Sequence, residues 1–532
     1  MNRTENLSRL IKEKNTVYDL AIIGGGASGF GVAIDALSRG LSVVLLDKSD
    51  FAKGTSSRST KLLHGGVRYL AQGDVFLVLE ALKERGRLLE NAPHLTLNQT
   101  FVIPIYSFFD QLKYSTGLKL YDWMAGSLRL GKSRFINKEE TVRRIPGLKN
   151  SGLKGGVVYQ DGQFDDARMV IALARTCTDL GATVLNYTKV KGLSKDKKGK
   201  IDGVFASDLI GKNKLDIKAK MVVNATGVFA DKILQMDQPK APKSIQPSQG
   251  IHLVFDKSFL GGEDALMIPK TSDGRVLFAV PWQNHLLVGT TDTIRKKPKL
   301  EPEALQQEID FVLETAGKYL SKSPTRKDVL SVFAGLRPLA APKEEGSKTK
   351  EISRSHKVIV SESKLVTITG GKWTTFRKMG EDTVKHYNAV TGEPLPPSKS
   401  AKIKIHGATE TPIDGIYRAY GTEVQDIMQL IQENPALGNQ LHPNHPYTEA
   451  MVVWAVRMEM AMKLEDVLSR RIRLLMCDAM AALEVAPRVA AIMAKEFGKE
   501  ADWITSEIEE FNQIAHKYLL NPITNATIHS GS

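Results

Sequence analysis

Cysteine is almost missing: Cys177 and Cys477 are the only two in 532 residues, and 300 positions separate them. Thiols so placed give neither a disulfide framework nor metal-ligand spacing, and their scarcity suits a reducing cytosol. Long apolar runs are missing as well. The nearest, "MVVWAVRMEMAM", is interrupted by Arg457 and Glu459 and falls short of the roughly 20 residues a spanning helix needs. The opening "MNRTENLSRLIKEKNTV" lacks an apolar core and does not read as a secretory signal. Low-complexity tracts and internal repeats are absent, which excludes solenoids and linkers as the main architecture. Acidic residues are the minority: 59 against 73 basic, a net charge of +14. Such an excess suits nucleic acid, an anionic small substrate or an anionic membrane surface. No nucleic-acid module is legible, so nucleic acid is set aside, while the other two readings are compatible.

What is present is an ordinary soluble composition, 42% hydrophobic and 25% charged, long enough for two or three domains. Near the start, "YDLAII" reads as a buried strand and "GFGVAIDALSRG" as a helix closing on Gly40. Between them Gly24, Gly26 and Gly29 form G-x-G-x-x-G. The first glycine allows a tight turn and the second lets backbone approach a pyrophosphate. The third lets helix pack on strand, and the helix N-terminus, through Ala27 and Ser28, offers N–H groups to phosphate. A second strand, "LSVVLLD", ends in Asp47, 18 residues past Gly29, placed to accept ribose hydroxyls.

A nicotinamide domain would continue to its third strand. Here "GTSSRSTKLLHGGVRYL" follows, a loop of small hydroxyls and glycines that brings Thr55, Ser56, Ser57, Ser59, Lys61, Leu62, His64 and Gly66 alongside the first turn. Much later "MVVNATGVFAD" is a strand ending at Ala225-Thr226-Gly227, a second backbone approach. "VTITGGKWTTFRKMGEDTV" reads as strand, Gly-Gly turn and helix start, offering Gly371, Lys372, Thr374 and Thr375. A helix start aimed at a flavin would stabilise negative charge on the reduced ring. Three separated segments converging on one extended ligand point to FAD.

These pieces, with "YQDGQFDDARMV", "VPWQNHLLVGTTD" and "FAGLRPL", stand in the order found in the FAD-dependent glycerol-3-phosphate dehydrogenases, which the chain resembles over roughly residues 17–390. "DVLSRRIRLLM" is similar to part of that family's C-terminal cap. The resemblance implies an α/β fold: a Rossmann-like FAD-binding domain of the glutathione-reductase and D-amino-acid-oxidase type, an antiparallel-sheet substrate domain and an all-α cap. The expected boundaries are 17–394 for the oxidoreductase region, 395–520 for the cap and 521–532 for a disordered tail. Within the first, FAD-binding segments fall at about 17–75, 155–235 and 355–394, and the substrate domain at about 76–154 and 236–354. It also implies that Val190 meets adenine through backbone groups.

The implied reaction oxidises sn-glycerol 3-phosphate to dihydroxyacetone phosphate, hydride passing from C2 to flavin N5. A phosphate dianion wants guanidinium forks, and the C2 hydroxyl wants a base. By resemblance Arg337 in "FAGLRPL" and Arg354 in "EISRSHKV" lie beside the substrate, and Arg68 and Tyr69 in "HGGVRYL" are further contacts. His252 in "SQGIHLVF" has Ile251 and Leu253 on the opposite strand face, so its imidazole is expected to point at a site. The resemblance makes it the best base, with Arg337 stabilising the developing alkoxide. Lys372 reads equally as a phosphate contact, a flavin contact or an exposed helix start; His64 supports either ring or substrate, and Tyr69 is also compatible with packing alone. No metal is expected.

Electrons from the reduced flavin need an acceptor. A membrane quinone requires peripheral contact with the bilayer, and the resemblance places the chain in the cytoplasm on the inner face of the plasma membrane, as a homodimer. The stretch Phe101–Phe135 mixes Phe, Tyr, Trp and Leu with Lys113, Lys119, Arg129, Lys132 and Arg134, suiting an anionic lipid interface or, alternatively, a lid. The competing readings are a glycerol-3-phosphate oxidase that makes peroxide, an amine or amino-acid oxidase on the same scaffold, and a non-enzymatic flavin carrier. The phosphate-suited arginines argue against the amine oxidase.

Overall fold

The structure, a computed structural model, describes residues 1–66, 74–341 and 356–520. Its centre is the strand Val17–Ile23, whose Leu20 to Ile23 are all buried. A strand buried on both faces suits a parallel sheet. Val43–Leu46 pairs with it on one side and Lys214–Asn224 on the other, both parallel. Val366–Thr369 extends the sheet beside Lys214–Asn224, and Thr183–Leu185 beside Val43–Leu46. Among the described residues this sheet has eight strands. Because the inner strands are parallel, their carboxyl ends lie at one edge. Gly24, Asp47, Ala225 and Gly370 each follow a strand end there, where doubly wound sheets hold ligands.

A second sheet, ten-stranded among the described residues, is antiparallel except where Thr96–Ile105 runs parallel to Ala265–Ile268. One point differs from the sequence reading. Gly155–Phe164, assigned to the flavin-binding segments, pairs over ten residues with Thr96–Ile105 and belongs to this second sheet. Ile201–Asp208, in the same expected segment, does pair with Lys214–Asn224 in the first sheet. Short β runs carry no label for the sheet they join; the long-range partner decides. The helix Asp166–Asp179 does return the chain to the first sheet.

In the second sheet Ile245–Asp256 pairs with Ser331–Ala340 along ten residues. Ile251, Leu253 and Phe255 point into an apolar core shared with Ile309, Val312 and Ala316 of the helix Gln306–Tyr319. Period-two alternation sends Ser248, Gly250 and His252 to the other face.

Beyond residue 400 helices dominate: Val424–Glu433, Glu449–Met458, Ala479–Phe497 and Ala501–Ala515. Met451 and Met460 are buried, as core filler should be. The cap is not wholly helical, since Gln440–His442 and His445–Thr448 form a small hairpin. The expected tail, 521–532, lies outside the described residues.

The cap is tied to the first sheet by charge. One turn of π-helix, Asp466–Arg471, turns its arginines inward. Arg470 Nε donates to Asp50 Oδ2 at 2.6 Å, and Arg471 donates to both oxygens of Asp50 at 2.9 and 3.0 Å. Arg168 and Glu459 form a bidentate pair at 2.7 and 2.8 Å. Burial alone would raise the Asp50 carboxyl, but the two guanidinium groups outweigh it and hold Asp50 well below the usual carboxylate range. Removing one partner of a buried pair strands the other charge. Asp50→Ala is therefore expected to cost about 3–5 kcal/mol, read as a lowered urea midpoint. An unshifted midpoint would show that the arginines find other partners.

Candidate active site

The strand ends enclose a cleft of about 410 Å³. The helix Ala27–Ser38 starts at its wall without a side-chain cap on Gly26, and Ala27 N donates to Ser56 Oγ at 2.9 Å. Gly24 has φ +115°, and a Cβ there would stand 2.6 Å from Ala225 O, so the turn closes on the facing strand only with glycine. Asp47 lies across the turn, where Oδ2 accepts Gly25 N at 2.7 Å and Oδ1 accepts Ser49 N at 2.8 Å. Burial beside the cleft pushes its carboxyl up to about 6, against the two backbone donors that favour the charge.

Of the residues singled out in the sequence, Gly24, Gly26, Ala27, Ser28, Asp47, Thr55, Ser56, Val190, Ala225, Gly227, Gly371 and Lys372 line this cleft. The others are elsewhere. Gly29 stands behind Gly24, so tightly that a Cβ would run into the Gly24 carbonyl. Leu62 pairs with Gln163 in the second sheet. Thr374 Oγ1 donates to His64 O at 3.4 Å and Thr375 Oγ1 to Lys372 O at 3.3 Å, both holding the turn. His64 packs on Phe278 at 5.0 Å, with Nδ1 3.6 Å from the buried Asp161. Gly66, φ +90°, ends the described part of its loop. Arg68, Tyr69 and Arg354 lie outside the described residues.

Ser57, Ser59 and Lys61 form a buried knot behind the loop. Lys61 is fully enclosed; its Nζ donates to Ser57 O at 2.8 Å and to Asp166 at 2.8 and 2.9 Å. Ser59 Oγ donates to Asp166 Oδ2 at 2.7 Å, and Arg473 Nη2 reaches Asp166 at 2.9 Å and Ser57 O at 3.0 Å. Burial lowers the Lys61 ammonium to about 8 despite Asp166.

His252 and Arg337 meet on one face of the second sheet, next to the cleft rather than in its wall. The adjoining Pro338 lines the cleft, and Thr55 Oγ1 donates to Leu336 O at 2.5 Å. Arg337 Nη1 donates to Thr291 O at 3.0 Å and Nη2 to Thr290 Oγ1 at 3.1 Å, with Asp292 at 3.6 Å. Gly250 lies beneath this guanidinium: a Cβ there would collide with Arg337 Nη2 and Thr290 Oγ1. The sequence reading missed Gly250, and a lone glycine in a strand pattern was the available signal. It also missed Trp373, whose Nε1 donates to Ser56 O at 2.9 Å, and the cleft lysines Lys48, Lys189 and Lys232, which nothing distinguishes in a basic chain. His252 is buried, stacked on Phe333 at 4.9 Å, and held well below the usual imidazole range by burial, then by Lys61 and Arg337.

The cleft fits FAD. It is basic and walled by backbone from four separate strand ends, and at Gly227 a Cβ would meet nothing within 4 Å. Among the described residues no His, Cys, Asp or Glu group suits a metal ion.

The fold and this cleft define an FAD-dependent oxidoreductase. The FAD dependent oxidoreductase family matches residues 19–404, and the C-terminal domain of alpha-glycerophosphate oxidase matches residues 361–503. The chain is 39% identical to a probable mitochondrial glycerol-3-phosphate dehydrogenase of Caenorhabditis elegans, across 93% of this chain and 72% of that one. It is 37% identical to the mitochondrial glycerol-3-phosphate dehydrogenase of Homo sapiens, across 96% and 74%. The solved glycerol-3-phosphate dehydrogenase from Bacillus halodurans, complexed with FAD, superposes with a TM-score of 0.80 at 29% identity over 98% of both chains. The L-alpha-glycerophosphate oxidase of Mycoplasma pneumoniae, TM-score 0.56 at 18% identity over 73% of this chain and 98% of that one, shares the fold. The chain belongs to the FAD-dependent glycerol-3-phosphate dehydrogenase family.

A ribose hydroxyl donating to Asp47, as the sequence reading expects, would make FAD favour the charged carboxylate. Above about pH 6 the group is already ionised and FAD affinity should be flat. Below it, affinity should fall by up to about tenfold per pH unit. Flavin retained on dialysis between pH 7.5 and 5 checks this, and Asp47→Asn should bind weakly and without that slope.

Proposed function

We propose that this chain oxidises sn-glycerol 3-phosphate to dihydroxyacetone phosphate and delivers the electrons to a membrane quinone from a peripheral position on an anionic bilayer. One observation carries the catalytic part: Arg337 and a neutral, buried His252 share a sheet face directly beside the FAD cleft. The names of the relatives, at 37–39% identity, supply the substrate. Bound FAD supplies the two-electron acceptor. Arg337 is part exposed, and its planar fork, pinned over Gly250, suits a phosphate or developing alkoxide. His252, kept neutral, accepts the hydroxyl proton at Nε2. Arg68, Tyr69, Arg354 and Lys372 complete the proposed phosphate surroundings.

Membrane docking is proposed from the helix Phe108–Ala125. Phe109 and Trp123 are 83% and 75% exposed, and Phe76 at the start of the neighbouring helix Val75–Asn91 is 88% exposed. Lys113, Lys119, Arg129 and Lys132 are exposed nearby, whereas Arg134 is engaged with Glu140 at 2.6 Å. Large rings in water beside cations suit a lipid interface. No helix among the described residues is long and apolar enough to cross a membrane. The chain is proposed to sit on the cytoplasmic face and to form a homodimer by analogy with its family.

Anaerobic glycerol 3-phosphate should bleach the flavin absorbance of the purified protein; a spectrum that stays oxidised ends this reading. Peroxide formed at the rate of turnover in air would assign the oxidase reaction instead. Arg337→Ala should lower kcat/KM by about thirtyfold or more with flavin content unchanged. Wild type should pellet with vesicles containing anionic lipid, and the triple variant Phe76→Ser, Phe109→Ser, Trp123→Ser should stay in the supernatant. Equal pelleting of both would move the membrane face elsewhere.

A further inference from the structure

His252 is 2% exposed, yet a base must reach its substrate. Phe333 covers one face of the ring, and Gly289, opposite it in the neighbouring strand, lies against the ring edge. Nδ1 is buried and has no hydrogen-bond partner among the described residues. One polar group meets Nε2: the hydroxyl of Thr60, at 3.0 Å. Thr60 is only half-buried, so it stands between the imidazole and the space outside.

Its position is fixed from both sides. On one side Ser59 donates its backbone N–H and its hydroxyl to Asp166 Oδ2, at 2.9 and 2.7 Å. On the other Lys61 takes φ +62°, in the left-handed region a lysine seldom visits. Lys61 stays there because its ammonium is gripped by Asp166 and Ser57 O. Arg473 of the cap donates to the same carboxylate and the same carbonyl. Thr60 is thus the one polar group of this stretch left facing the site, between two residues locked to Asp166.

We propose that Thr60 relays the proton from the substrate's secondary hydroxyl to Nε2 of His252, held in place by the clamp of Lys61, Asp166 and Arg473. The proposal rests on the reading of His252 as the base. As the C2 hydroxyl breaks its O–H bond, its proton passes to Thr60 Oγ1, and the proton of Thr60 passes to Nε2. The C2 hydrogen leaves with its electron pair to FAD, and the carbinol becomes a ketone. Among the described residues the charged groups facing the imidazole are Lys61 from the loop and Arg337 from Ser331–Ala340, backed by Asp166 and Asp292 respectively. Burial first, and these two cations with it, keep the ring neutral.

The test is anaerobic stopped-flow reduction of the holoenzyme's flavin by glycerol 3-phosphate. Thr60→Val keeps the side-chain shape and removes the hydroxyl. It should slow flavin reduction by about a hundredfold or more, with substrate dissociation constant, flavin content and melting temperature close to wild type. Thr60→Ser restores a hydroxyl and should recover most of the rate. His252→Ala supplies the separate control. If His252→Ala is slow while Thr60→Val reduces at the wild-type rate, the relay is overturned and the base reading stands. If both reduce at the wild-type rate, both fall. If Thr60→Ser is as slow as Thr60→Val, the residue serves packing and the relay is overturned.

Discussion

Asp166 is the charge on which the site's geometry turns. Its buried carboxylate receives Lys61, Ser59 and Arg473, three groups from two remote parts of the chain. An unpartnered carboxylate in that position would be expensive; with these donors it is held ionised, below the usual range. The consequence is mechanical. The loop 55–61 cannot drift from the helix Asp166–Asp179 without exposing a naked charge, so the wall of the FAD cleft and the cover of His252 move as one unit. The same logic repeats at Asp50, where Arg470 and Arg471 fasten the cap close to the Asp47 turn. The cap is therefore a buttress of the flavin site as well as a neighbouring helical body.

Much of this was legible in the chain. The apolar run before Gly24, the glycine spacing and Asp47 at the end of the next strand give the parallel sheet's edge, because turn geometry and burial act over a few residues. The alternation around His252 gives its facing correctly, since period two is a local property. Sheet membership was not legible for Gly155–Phe164, whose partner Thr96–Ile105 lies some fifty residues earlier in the sequence. Nor was the division of labour inside "GTSSRSTK". Thr55, Ser56, Ser57, Ser59 and Lys61 all read alike as cofactor contacts, and Thr60 was not among them. Only the packed structure shows Thr55 and Ser56 in the cleft wall, Ser57, Ser59 and Lys61 turned back to Asp166, and Thr60 on His252. The hairpin in the cap escaped because its strands are three and four residues long and share the polar character of a loop.

The two sheets contribute different physical resources. The first supplies backbone: strand ends, a helix N-terminus and turns that admit an extended dinucleotide. The second supplies side chains on a rigid ladder, where ten paired residues between Ile245–Asp256 and Ser331–Ala340 set His252 and Arg337 at fixed separation. Glycine at 250 belongs to this second resource, because it lets a guanidinium lie flat on the strand. A reaction that takes a proton from a hydroxyl and a hydride from the carbon bearing it needs both resources brought against each other, and the loop 54–66 is the seam between them.

The order of strands in the first sheet has a bearing on biosynthesis. One neighbour of Val17–Ile23, Lys214–Asn224, is translated some two hundred residues after it, and Val366–Thr369 later still. Non-local pairings of this kind close slowly. A ribosome must therefore release more than three hundred residues after Val17–Ile23 before the dinucleotide crevice has all its walls. Until then the nascent Leu20–Ile23 segment and its glycine turn wait for partners, a stretch that chaperones have reason to shield.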